Sequence, residues 1–201
     1  MIELPPFDWQ WVGSLIGGAV LIAALLWFWH WYRRRRARLA LLAAVTGGAF
    51  EHLCDVLLPD GQGALLHVDF LLLTARGAIV VDLRDIAGNI FGGDQMTEWT
   101  VIQRSARQTF SNPQAALYDR IAAVRALAPE LPVEGRVVFS QRGRFPKGLP
   151  SYTLMLDSLS AEFPAADRSA MEALLSRWLP EWQRVRAATT PSSLVAPKAA
   201  I

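Results

Sequence analysis

The chain has 201 residues, one cysteine and a formal net charge of +2. One cysteine excludes an internal disulfide, and the length allows one domain with a true core plus an anchor or tail. Hydrophobic residues make up 52% and mean hydropathy is positive, above the level of an ordinary globular domain, and the excess lies at the front.

Trp9–Tyr32 contains no Asp, Glu, Lys or Arg. As a helix it would extend about 36 Å at ~1.5 Å per residue, enough for a hydrocarbon core of about 30 Å. Trp9 and Trp11 mark one end, and Trp27, Trp29, Trp31 and Tyr32 the other, the pattern of an aromatic belt. Five arginines follow within Arg33–Arg38, after an acidic start with Glu3 and Asp8. This order predicts a single membrane-spanning helix, a short external N-terminus and a domain on the cytoplasmic side of the inner membrane. A cleaved signal peptide would carry its basic segment before the apolar run. Gly13 and Gly17 stand at a spacing that lets two such helices approach closely, a route to a homodimer. Beyond the arginine run the chain has 15 basic against 16 acidic residues. The basic character is therefore local, suits anionic lipid headgroups and argues against a broad nucleic-acid footprint.

Leu39–Val45 predicts a continuing helix, and Thr46-Gly47-Gly48 a break and fresh helix start. Phe50, Leu53 and Leu57 recur at helical spacing, so a second helix is expected there, with Cys54 in the core and Glu51 off the apolar face. His52 and His67 do not form a metal-pair spacing. Pro59–Gly63 is a turn cluster. Two apolar runs, Ala64–Thr74 and Ala78–Leu83, flank Ala75-Arg76-Gly77 and predict a β-hairpin. Gly88–Gly93 predicts a glycine-rich bend, and Trp99–Ile102 a short strand. Ser111-Asn112-Pro113 predicts a helix start, with Ala116, Ile121, Val124 and Leu127 on its apolar face. Gln114, at that start, is expected either near a site or solvated. Val133–Ser140 reads as a strand, Gln141–Pro150 as a basic loop and Tyr152–Leu159 as a strand. Ala166–Arg186 reads as an amphipathic helix interrupted near Pro180 and packed down by Trp178 and Trp182. Thr189–Ile201 reads as a fraying tail.

The hairpin carries one acid per strand, Asp69 and Asp82, with Arg84 two residues on. Strand alternation puts Asp82 and Arg84 on one face. An even turn sets Thr74 opposite Gly77, hence Asp69 opposite Asp82 and His67 opposite Arg84; a bulge at Gly77 would shift this by one. Facing carboxylates repel, so a positive partner is expected: Arg84, a cation, or both.

An acid on one strand and an acid-x-basic triplet on the next resemble the PD-(D/E)xK nuclease core. The segment GGAFEHL, the hairpin HVDFLLLTARGAIVVDLRDIAGNIFGG, Trp99, Asn112-Pro113 and the strand VEGRVVFS together resemble its nuclease-related (NERD) branch, from about Thr46 to Pro150. The resemblance implies an α/β, restriction-endonuclease-like fold: a mixed central sheet flanked by helices, preceded here by the transmembrane helix. The domain boundaries are then 1–8 outside, 9–32 spanning, 33–45 basic linker, 46–187 nuclease-fold domain and 188–201 tail. It also implies Mg²⁺ or Mn²⁺ held by Asp69 and Asp82, with Arg84 stabilising a phosphoryl transition state, Glu51 adding a ligand or orienting water, and Gln114 nearby. Asp82-Leu83-Arg84 stands where the family has Glu-x-Lys, and Ala116 where it has a later glutamine. Two functions follow as expectations: metal-dependent hydrolysis of nucleic acid, or a domain that keeps the fold and binds a partner without chemistry.

Overall fold

A computed structural model describes residues 9–164 and 168–192, apart from the side chains of residues 9–23, 34, 37, 38 and 168–175. The chain divides into two compact units, Met1–Ala43 and Ala44–Ile201. The elements are helix α1 (Trp9–Thr46), strands β1 (Glu51–Pro59), β2 (Leu65–Thr74), β3 (Gly77–Arg84), β4 (Gly88–Phe91), β5 (Glu98–Gln103) and β6 (Ala106–Ser111), helix α2 (Pro113–Leu127), strands β7 (Val133–Phe139), β8 (Gly143–Arg144) and β9 (Thr153–Met155), helices α3 (Leu159–Glu162) and α4 (Arg168–Ala188), and strand β10 (Thr190–Pro191). The architecture is mixed α/β, as expected, but built on two sheets rather than one. The larger has the order β10-β1-β2-β3-β7-β9 and the smaller β6-β5-β4-β8.

In the first unit the helix is continuous through the aromatic and arginine segments. Arg33, Arg35 and Arg36 lie over the rings of Trp29, Trp31 and Tyr32 at 5.0, 5.3 and 5.0 Å, each four residues back along the helix. Among the described residues no helix is long and apolar enough to cross a membrane. The side chains of 9–23, which make up most of the expected spanning segment and include Gly13 and Gly17, lie outside the described residues, as do 1–8 and most of the tail, 193–201.

The hairpin is the centre of the larger sheet. Thr74 pairs with Gly77 and Phe70 with Val81, the even register expected from sequence. Continuing it by one pair sets Asp69 against Asp82. The turn closes at Gly77 with φ +116, where a Cβ would lie 2.2 Å from the Pro132 carbonyl oxygen, so only glycine fits. β3 then pairs in parallel with β7, and α2 is the crossover that such a connection needs. Asn112 caps α2, accepting a hydrogen bond from the Gln114 backbone N–H, with Pro113 in the first turn. Leu117 and Ile121 press α2 onto Gly135 of β7, where a Cβ would meet Ile121 at 2.6 Å. α2 therefore covers the sheet face that carries Asp69 and Asp82. Leu72, on the opposite face, lines a small cavity together with Val45, Leu159 and Phe163. The smaller sheet is anchored by Trp99, fully buried and stacked on Phe139, with Phe110 and Phe145 edge-on to it.

Several local expectations give way to tertiary pairing. The segment after Thr46 is not a helix: it is β1, which pairs antiparallel with β2 along its length. Its apolar spacing fits a helical turn, yet an adjacent unpaired strand supplied hydrogen bonds that a helix there would have wasted. Cys54 is only half-buried; burial, then Asp55, pushes its thiol up. The bend at 88–93 begins as strand β4, the basic loop contains β8, and β6 was not foreseen. Tyr152–Leu159 keeps only three strand residues before turning into α3. α4 passes through Pro180 without ending. The tail starts as β10, whose Thr190 and Pro191 pair with Leu57 and Val56.

Candidate functional site

The hydrogen bonds around the acid pair show why the two carboxylates tolerate each other. Asp82 is 2% exposed, and its Oδ2 accepts from Arg84 Nη2 at 2.8 Å and from Arg120 Nη1 at 3.3 Å. Strand alternation aims Arg84 at Asp82, as expected. Arg120 comes from α2 and was missed: it lies in an unremarkable helical stretch, and only the crossover brings it over the sheet. Its Nε also donates to the His67 carbonyl oxygen. Asp69 Oδ2 accepts from the Leu83 backbone N–H at 2.8 Å. Burial pushes Asp69 above the usual carboxylate range. The facing Asp82 adds to this, while the Leu83 N–H and His67 oppose it.

The row extends onto β1. The β1–β2 register sets Asp55 beside Asp69, and His67 lies between them, with Nε2 2.6 Å from Asp55 Oδ1 and Nδ1 3.5 Å from Asp69 Oδ1. Asp55 has φ +54 in mid-strand, a conformation that L-residues other than Asn and Asp rarely adopt. Sequence reasoning passed over Asp55 because that segment read as helix; the alternation of β1 against β2 is the signal that finds it.

Two expected members are elsewhere. Glu51 pairs with Leu73, four residues along β2 from Asp69, and accepts from Trp182 Nε1 at 2.7 Å, with Arg186 at 3.5 Å. It ties β1 to α4. Gln114 is 3% exposed rather than solvated, and its Nε2 donates to Asp94 at 2.8 Å and to the Ser151 carbonyl oxygen at 2.6 Å. Hydrogen bonds from Gln114 and Ser151 hold the exposed Asp94 carboxyl below its usual range. Gln114 thus joins the loop before β5 to the loop before β9.

An acid on β2 and an acid-x-basic triplet on β3 thus lie beside a parallel β7 and its crossover helix. Residues 32–140 match the family model described as nuclease-related domain. The chain belongs to the nuclease-related domain family. No curated protein and no solved structure matches it. A nuclease-related domain implies a divalent ion at the acid pair. Among the described residues no group of three or more His, Cys, Asp or Glu side chains is arranged to hold a metal ion. Asp82 Oδ2 is committed to two guanidinium groups, Asp69 Oδ2 to a backbone N–H, and Asp55 Oδ1 to His67. Two fixed positive charges already stand against Asp82, the acid that a cation would need. The residues as arranged do not fit a divalent ion.

Proposed function

We propose that this nuclease-related domain is a membrane-tethered binding module in which arginines neutralise the acid cluster. One observation carries the reading: the buried Asp82 carboxylate is bonded by both Arg84 and Arg120. A guanidinium keeps its charge and its donors at any working pH, so the pair persists without a cofactor. The tether is the N-terminal helix, its partner the lipid bilayer. The arginines stacked on Trp29, Trp31 and Tyr32 support an interfacial position, with the domain on the cytoplasmic side of the inner membrane. Gly13 and Gly17 would permit a homodimer.

A second reading keeps metal-dependent hydrolysis of nucleic acid, with Mg²⁺ or Mn²⁺ at Asp69 and Asp82. The meeting of those two carboxyls favours it, since a cation relieves such repulsion better than a shared proton. It requires the guanidinium groups to yield Asp82. The test is thermal unfolding and nuclease turnover of the full chain in detergent micelles, with and without Mn²⁺. The binding reading expects no turnover in the parent or in Arg84→Lys, and no Mn²⁺-dependent rise in Tm. Turnover that Asp82→Asn abolishes would overturn it.

A further inference from the structure

The smaller sheet carries a cleft of about 300 Å³ at its exposed face, lined by Gly88, Asn89, Ile102, Gln103, Arg104, Arg142 and Arg144. The β4 register explains how it is built. Asn89 pairs with Ile102 of β5 on one side and with Arg144 of β8 on the other, so these three side chains form one row across three strands. Ile90 and Val101, the neighbours that point the other way, are buried, so the row faces outward. Arg104 stands at the β5–β6 turn with φ +55. Gly88 keeps the floor flat: with φ +121, a Cβ there would lie 2.6 Å from the Ile102 carbonyl oxygen.

Three arginines line this cleft, and among the described residues one of them is paired with a carboxylate, Asp85. Asp85 accepts from Arg142 at 2.9 Å and from the Ser140 hydroxyl at 2.6 Å. Arg104 and Arg144 have no ion pair among the described residues. Like charges brought together without an anion repel, and a planar guanidinium fork matches two oxygens of a phosphate. Asn89 and Gln103 add amide donors and acceptors, and Ile102, 37% exposed, adds an apolar wall for a ring. The volume is at the lower end of small-ligand sites and accepts one nucleotide rather than a duplex.

We propose that this cleft binds a phosphomonoester of nucleotide size, with Arg104 and Arg144 on the phosphate and Asn89, Gln103 and Ile102 against the rest. The site is on the other sheet from Asp69 and Asp82, so it stands whether or not the acid pair is catalytic. The phosphomonoester could be a free nucleotide or the 5′ end of a strand.

The experiment is calorimetric titration of the full chain in detergent micelles with AMP, adenosine and inorganic phosphate. AMP is expected to bind and adenosine not, with phosphate weaker than AMP and binding falling as salt rises. Arg144→Gln and Arg104→Gln should each weaken AMP tenfold or more, the size of one lost charge-assisted hydrogen bond. Arg144→Lys, which keeps the charge but loses the fork, should fall between. Unchanged unfolding temperatures of these exposed variants separate loss of binding from loss of fold. A 5′-phosphorylated tetranucleotide that outbinds AMP assigns the site to strand ends, and the reverse assigns it to free nucleotides. AMP binding no tighter than adenosine, or binding that survives both glutamine substitutions, overturns the proposal. So does a tetranucleotide that binds equally well without its 5′ phosphate.

Discussion

Replacing Arg120 by methionine keeps most of the side chain's apolar volume and removes two hydrogen bonds. One is the charge-assisted bond to Asp82, at a site where Arg120 is 15% exposed and Asp82 2%. A bond to a charged group contributes about 1.5–3 kcal/mol. The other is the bond to the His67 carbonyl oxygen, a neutral acceptor for which about 1 kcal/mol is usual. Arg84 still faces Asp82, so the loss should stop short of the full cost of an orphaned buried charge. The expected destabilisation is therefore about 2.5–4 kcal/mol, or roughly 5–15 °C in Tm for a domain of this size. Asp82→Asn made in the Arg120→Met background completes a cycle. With no carboxylate to neutralise, Arg120→Met should then cost only about 1 kcal/mol, leaving a coupling of about 1.5–3 kcal/mol. Thermal and urea unfolding of the four proteins, followed by far-UV circular dichroism, measures it. A coupling below about 0.5 kcal/mol would refute the claim that Arg120 is the counter-charge of Asp82.

Asp69 links the stability of the fold to pH. Its folded pKa is raised, chiefly by burial, so the folded state holds this proton more tightly than the unfolded one. Stability from this group is then present below the unfolded value of 3.8 and is lost as pH rises through the folded pKa. Asp69→Asn should flatten that loss and, by donating to Asp82, stabilise the neutral-pH protein by about 1 kcal/mol; equal pH profiles for parent and variant in urea unfolding would contradict this. Gly92→Ala should be severely destabilising, because the new Cβ would lie 2.3 Å from the buried Trp99 ring; expression with unchanged Trp fluorescence would count against that packing. For topology, protease added outside intact cells should leave residues 44–201 uncut, and cleavage there would reverse the proposed orientation.

Local chemistry determined the parts of this protein whose partners are close in sequence. The apolar runs around Ala75-Arg76-Gly77 dictate a hairpin, and strand alternation then places Asp69, Asp82 and Arg84 on one face before any other element is known. Asn112-Pro113 starts α2 because cap and proline act within one turn. Composition alone marks the apolar N-terminal segment and its arginines. Tertiary structure decided whatever depended on a distant neighbour. Glu51–Pro59 became a strand because β2 offered it a full ladder, and its helical spacing of Phe50, Leu53 and Leu57 was overridden. That change carried Glu51 to Trp182 and Asp55 to His67. Arg120 reaches Asp82 only because a parallel β3–β7 pair requires a crossover, which lays α2 over the acids. The arginine cleft likewise exists only once β4, β5 and β8 lie side by side. Residue spacing reports geometry along a single strand or helix. Which charges meet across elements is set by how those elements pack, and at this site that packing placed two guanidinium groups on the central acid.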